Sequence, residues 1–194
     1  MLAGGLVDLP TLLTSVLYCF DPTELRLASV TKWKTHESNA SKQVPNEAVY
    51  GEQFATVLRR TLATMPEWRL EVEAESEQDD GKKLDLLLVR QGIDGQRPFR
   101  VGLEFVASSA PKTIRRHASR LYPQTLRLDQ YVIVHFSSHE TKTDPPYFCE
   151  GLDKDGNPCD IPVYHIYHDE EFTKADIVYK PTPGGAKIRE RLLL

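Results

Sequence analysis

Two carboxylates interrupt runs that otherwise have the composition of buried β-strand: Asp85 in "KKLDLLLV" and Glu104 in "FRVGLEFVA". An ionised carboxylate on a covered sheet face is costly unless it is paired, hydrogen-bonded or bound to a metal. Two of them in consecutive strands suggest a site. Alternate residues of a strand share a face, so Asp85 sides with Leu87 and Val89, and Glu104 with Gly102 and Val106. If the strands pair around the short turn "GIDGQRP", the two carboxylates converge. A third acid, Glu47, falls on the same helical face as Phe54, Leu58 and Thr61, whereas Glu52 points to solvent. One acid on a helix and one on each of two strands make a hard-oxygen set suited to Mg²⁺ or Mn²⁺. The plainer reading is that Asp85 and Glu104 each pair with a nearby Arg or Lys.

The elements that must position these residues follow from periodicity. Apolar residues recur at helical spacing from Glu47 to Met65, with Asn46 as the N-cap and Pro66 as the stop. "WRLEVEAES" alternates, "EQDDGKK" turns, and "LDLLLV" and "FRVGLEFVA" complete a three-strand meander. A basic helix over about 111–122 comes next, then "QYVIVHFS" as a central strand of a covered sheet, extended by "VYHIYH" and "DIVY". Residues 9–18 form a short amphipathic helix. The order helix, meander, helix, strand predicts an α/β sandwich with a central mixed β-sheet flanked by helices. Residues 1–45 form an N-terminal helical extension and loop. Residues 46–194 form the main domain, with a C-terminal β-hairpin elaboration.

In this order the segments "GKKLDLLLV", "VGLEFV", "RRHASRLYP" and "DQYVIVHF" resemble the core of the PD-(D/E)XK restriction-endonuclease-like superfamily, over about residues 46–136. More narrowly, the chain resembles the nuclease-like C-terminal domain of Crinkler effectors, with His117, Arg120 and Tyr131 at that family's His-x-x-Arg step and aromatic strand. The resemblance implies a Mg²⁺-dependent endonuclease acting on DNA, with Asp85, Glu104 and Glu47 as metal ligands. It also implies a secreted effector that works in the cytoplasm or nucleus of a host cell. The chain departs from the family at the Lys of the E-x-K motif, where Val106 stands. A valine cannot position the attacking water or offset charge in the transition state. Either another cation substitutes, with Lys112 favoured for charge and His117 for proton transfer, or the domain does not cut. In the second case it is a silent nuclease fold that binds DNA or a host protein, with dimerisation as part of its action.

Charge and cysteine usage bound these readings. The net charge is -4, which argues against indiscriminate polyanion binding, yet "KTIRRHASRLYPQTLR" holds Lys112, Arg115, Arg116 and Arg120 and no acid. These four are the candidate contacts to nucleic acid, duplex DNA first; a solvated basic face is the ordinary alternative. No apolar run approaches the ~20 residues that span a bilayer, so no membrane partner is expected. Three cysteines in a chain of this size favour free thiols and a reducing compartment. Cys149, Cys159, His165 and His168 supply four zinc-ligand types, but their spacing matches no usual zinc motif and a hairpin turning at "DKDGNP" is expected. His135 and His139 flank "FSS" and are expected to cap a strand end.

Overall fold

A computed structural model describes residues 2–3, 6–25, 33–35, 43–45, 47–75, 83–92, 95–107, 111–120, 122–137, 146–150 and 160–194. In chain order the elements are β1 (Leu2–Ala3), β2 (Leu6–Val7), α1 (Leu9–Leu17), β3 (Trp33–Thr35), β4 (Gln43–Pro45), α2 (Glu47–Leu62), β5 (Trp68–Glu75), β6 (Lys83–Arg90), β7 (Phe99–Val106), α3 (Pro111–Ala118), α4 (Tyr122–Thr125), β8 (Gln130–Ser137), β9 (Val163–His168), β10 (Lys174–Tyr179) and β11 (Ile188–Leu193). The fold is α/β, an α/β sandwich built on a seven-stranded sheet in the order β11-β10-β9-β8-β7-β6-β5. β8 and β9 run parallel, while β5–β6, β6–β7, β9–β10 and β10–β11 are antiparallel, so the sheet is mixed.

The chain divides into two compact units. The first comprises Met1–Phe20, Gly51–Glu104 and Arg120–Val132. Its α1 is capped by Asp8, whose carboxylate accepts from the Thr11 amide (3.3 Å) and hydroxyl (2.7 Å), satisfying a donor at the helix start. Those bonds favour the ionised form and hold the Asp8 carboxyl below its usual range. Apolar residues at helical spacing, Leu9, Leu12, Leu13, Val16 and Leu17, are all buried, and Phe20 meets Phe54 of α2 edge to face at 5.2 Å. The meander forms, but β5 does not keep the alternation of its sequence: Ala74 is buried and Leu70 half-buried, whereas Val72 is exposed. β5 carries exposed glutamates, and β6, a near-continuous run of leucines, is buried on both faces. Glu73 on β5 adopts φ 53°, a left-handed conformation in an otherwise extended strand. On β7 a Cβ at position 102 would come within 2.6 Å of Leu128 Cδ1 and 3.0 Å of Leu84 Cδ2, so any side chain there would have to displace those two leucine tips. The segment before β8 is tied back to β7: Asp129 accepts from the Arg100 amide (2.8 Å), and the Arg100 guanidinium donates to the Leu126 carbonyl (2.8 Å).

The second unit comprises Asp21–Tyr50, Phe105–Ser119 and Ile133–Leu194. Its apolar core joins Val106 of β7, Ile114 and Ala118 of α3, Ile133, Val163 and Cys149. The Tyr50 ring stacks on Phe136 at 3.9 Å, with planes 6° apart. The basic helix is shorter than its sequence suggests. α3 ends at Ala118, where the Ser119 amide bonds the Arg115 carbonyl, and α4 starts afresh at Tyr122. Pro123 accounts for the break, since in a continuous helix its ring would strike the carbonyl of residue 119. Cys149 is disulfide-bonded, which overturns the expectation of free thiols at that residue; Cys19 is free and exposed. The Asn46 cap, His139, Cys159 and the "EQDDGKK" and "DKDGNP" turns lie wholly or partly outside the described residues.

Candidate functional site

β6 and β7 pair in a register that includes Leu87↔Gly102 and Leu86↔Leu103. Asp85 and Glu104 are the next residues along each strand, so antiparallel pairing carries both carboxylates to the same end of this ladder. Their surroundings differ. Asp85 is half-buried, whereas Glu104 is 1% exposed. A carboxylate so buried needs a counter-charge, and Arg120 supplies it: its guanidinium donates to Glu104 Oε1. The Arg120 side chain is 21% exposed, with its backbone in a bend just beyond α3. Glu104 is therefore ion-paired, as the plainer reading of the sequence allowed. Removing one partner of such a buried pair leaves an uncompensated charge, a loss of about 3–5 kcal/mol in comparable sites.

The other candidates are placed as follows. Glu47 lies in the first turn of α2 and is half-buried. On α3, Lys112, Arg115 and Arg116 are exposed and His117 is 4% exposed. Arg115 donates from Nε to the Tyr147 hydroxyl at 3.1 Å and lies over the Tyr147 ring, which directs its guanidinium along the surface. Val106, where the family motif has lysine, is 0% exposed inside the apolar core with Ile114, Ala118 and Ile133. A lysine there would be an unpaired charge in hydrocarbon. Arg120 is the cation found on Glu104, and the sequence reading had assigned it to phosphate contacts. The available signal was spacing, since an arginine just past a short helix that follows the strand can fold back on that strand.

Among the described residues, no group of three or more His, Cys, Asp or Glu is gathered as metal clusters usually are. Asp85 and Glu104 still supply two hard carboxylates, the number Mg²⁺ takes when it keeps most of its waters.

Buried histidines form two hydrogen-bonded pairs, His135 with His165 and His168 with Tyr50. His135 on β8 is in register with His165 on β9, and their Nδ1 atoms are 3.0 Å apart. His165 Nε2 donates to the Tyr147 carbonyl at 2.9 Å, so its Nδ1 carries the lone pair and accepts from His135 Nδ1–H. Burial, then the neighbouring His135, lowers the His165 pKa to about 3. His135 thus lies inside β8 as the donor of a buried hydrogen bond, not at the strand end where a cap was expected. In the second pair, His168 Nδ1 donates to the Asp169 carbonyl (2.8 Å), leaving Nε2 to accept from the Tyr50 hydroxyl (2.8 Å). Burial raises the Tyr50 pKa well above its ordinary value. His165 and His168 each have both ring nitrogens hydrogen-bonded, and the two arrangements serve as core polar links.

No family model matches the chain, and no curated protein matches it. Among solved structures, it is similar to SfsA of Pyrococcus furiosus in complex with Ca²⁺, at 11% identity and a TM-score of 0.34, over 79% of this chain and 76% of that one.

Proposed function

We propose that the chain is a nuclease-like domain that binds nucleic acid, duplex DNA first, and hydrolyses phosphodiesters with a divalent ion held by Asp85 and Glu104. The observation that carries this reading is the placement of a fully buried glutamate and a half-buried aspartate at one end of the β6–β7 ladder. A divalent ion would supply Lewis acidity and an activated water. The chain's own residues divide the remaining work. Asp85 and Glu104 bind the ion, Arg120 contributes positive charge beside Glu104, and the exposed Lys112, Arg115 and Arg116 of α3 meet phosphates. Glu47 on α2 is the further acid of the proposal. The resemblance to Crinkler effector domains extends it to action inside a host cell.

A second reading, nucleic-acid binding without cleavage, is favoured by the burial of Val106 in the apolar core, which leaves the motif lysine without a replacement at its own position. One assay separates the two. Purified protein is incubated with supercoiled plasmid, single-stranded DNA and RNA in Mg²⁺ or Mn²⁺, beside Asp85→Asn. Cleavage by the wild type that the variant loses supports the nuclease reading. Salt-sensitive binding without cleavage supports the silent binder. Neither cleavage nor binding removes both.

A further inference from the structure

We infer that Arg120 is an exchangeable counter-cation, neutralising Glu104 in the metal-free protein and released toward phosphate when a divalent ion takes the carboxylate. The inference rests on the reading of Asp85 and Glu104 as metal ligands. Its first support is burial: at 1% exposure Glu104 cannot rely on water for its charge, and the Arg120 guanidinium cannot relieve the pairing by losing a proton. The pair therefore holds in the absence of another cation.

The second support is electrostatic. A divalent ion and a guanidinium on the same buried carboxylate repel each other strongly where water is excluded. Binding the ion at Glu104 therefore favours departure of Arg120. The third is where Arg120 is attached. Ser119 closes the end of α3, its amide bonding the Arg115 carbonyl and its hydroxyl the Arg116 carbonyl at 3.0 Å. Arg120 is the first residue beyond that closure, in a bend between two helices, so its long side chain can change partners without unwinding either one. Once released, the planar fork of an arginine suits a phosphate as well as it suits a carboxylate. Ion binding and substrate binding are thereby coupled through one side chain.

Two ligands with opposite responses test this. Mn²⁺ affinity is measured by titration calorimetry for the wild type, Arg120→Gln and Glu104→Gln, with circular dichroism as the check on folding. Affinity for a short mixed-sequence duplex is measured in Ca²⁺. Arg120→Gln is expected to bind Mn²⁺ about tenfold more tightly, the equivalent of one weak competing ion pair, and to bind the duplex more weakly. If Arg120→Gln fails to fold, Arg120→Lys replaces it. Its single-point hold on Glu104 then places its Mn²⁺ affinity above that of the wild type. Equal Mn²⁺ affinity in wild type and Arg120 variant, lost in Glu104→Gln, overturns the exchange and leaves the metal site standing. No Mn²⁺ binding by any variant overturns both. Unchanged duplex binding overturns the release toward phosphate.

Discussion

His135 and His165 face each other on two parallel strands with their Nδ1 atoms 3.0 Å apart, one donating and the other accepting. The bond requires His165 to stay neutral, and its pKa of about 3 in the folded chain lies below the ordinary 6.5. Unfolded chains take up a proton near pH 6.5 that the folded chain refuses. The stability contributed by this site is therefore complete above pH 6.5 and lost progressively as the pH falls toward 3, by about 1.4 kcal/mol per pH unit at most. Urea unfolding at intervals from pH 7 to pH 4 should show this slope in the wild type, and a shallower one in His165→Phe. Parallel slopes in the two proteins would remove the assignment.

Val106 offers a direct contrast between motif and packing. Val106→Lys places an ammonium among Ile114, Ala118 and Ile133. The expected outcome is a large loss of stability in denaturant melts and no gain in metal-dependent cleavage. A well-folded variant with raised activity would show that the core tolerates a cation at this position and that the cation can serve catalysis.

Tyr50→Phe removes the hydroxyl that serves His168 Nε2 while leaving the stack on Phe136 in place. A buried acceptor is left unsatisfied, at a cost of about 1–3 kcal/mol. Thermal melts at neutral pH measure it, and a shift within error would mean that another donor takes over.

On α3, Arg116 is exposed, and its replacement tests phosphate contact without disturbing packing. For duplex binding in Ca²⁺, Arg116→Ala should reduce the slope of log K against log salt by about 0.9 for the one phosphate lost. An unchanged slope would assign Arg116 to solvation alone.

The elements most legible in the sequence were those with an unambiguous period. The leucine run of β6 and the apolar face of α2 each predict their structure directly, and Glu52 is exposed as helix geometry requires. Asp85 and Glu104 stood out for the same reason, as charges in strands too apolar to hold them unaided. The partner of Glu104 was harder to find, because a side chain just beyond a helix answers to the path of a turn, which has no period. The truncation of α3 depended on Pro123, which lies just beyond the stretch that suggested one helix. The histidine pairs depended on register between strands some thirty residues apart, as in His135↔His165, and composition does not record register.

The left-handed backbone of Glu73 also bears on what the molecule avoids. β5 is an outermost strand of the sheet, and such a strand offers a row of backbone donors and acceptors to any other chain in extended form. At Glu73 the left-handed backbone interrupts the extended path of that row. A second copy approaching this margin meets a template that is interrupted midway. Fibril growth by edge-on stacking is thereby discouraged at β5, at the expense of one strained residue.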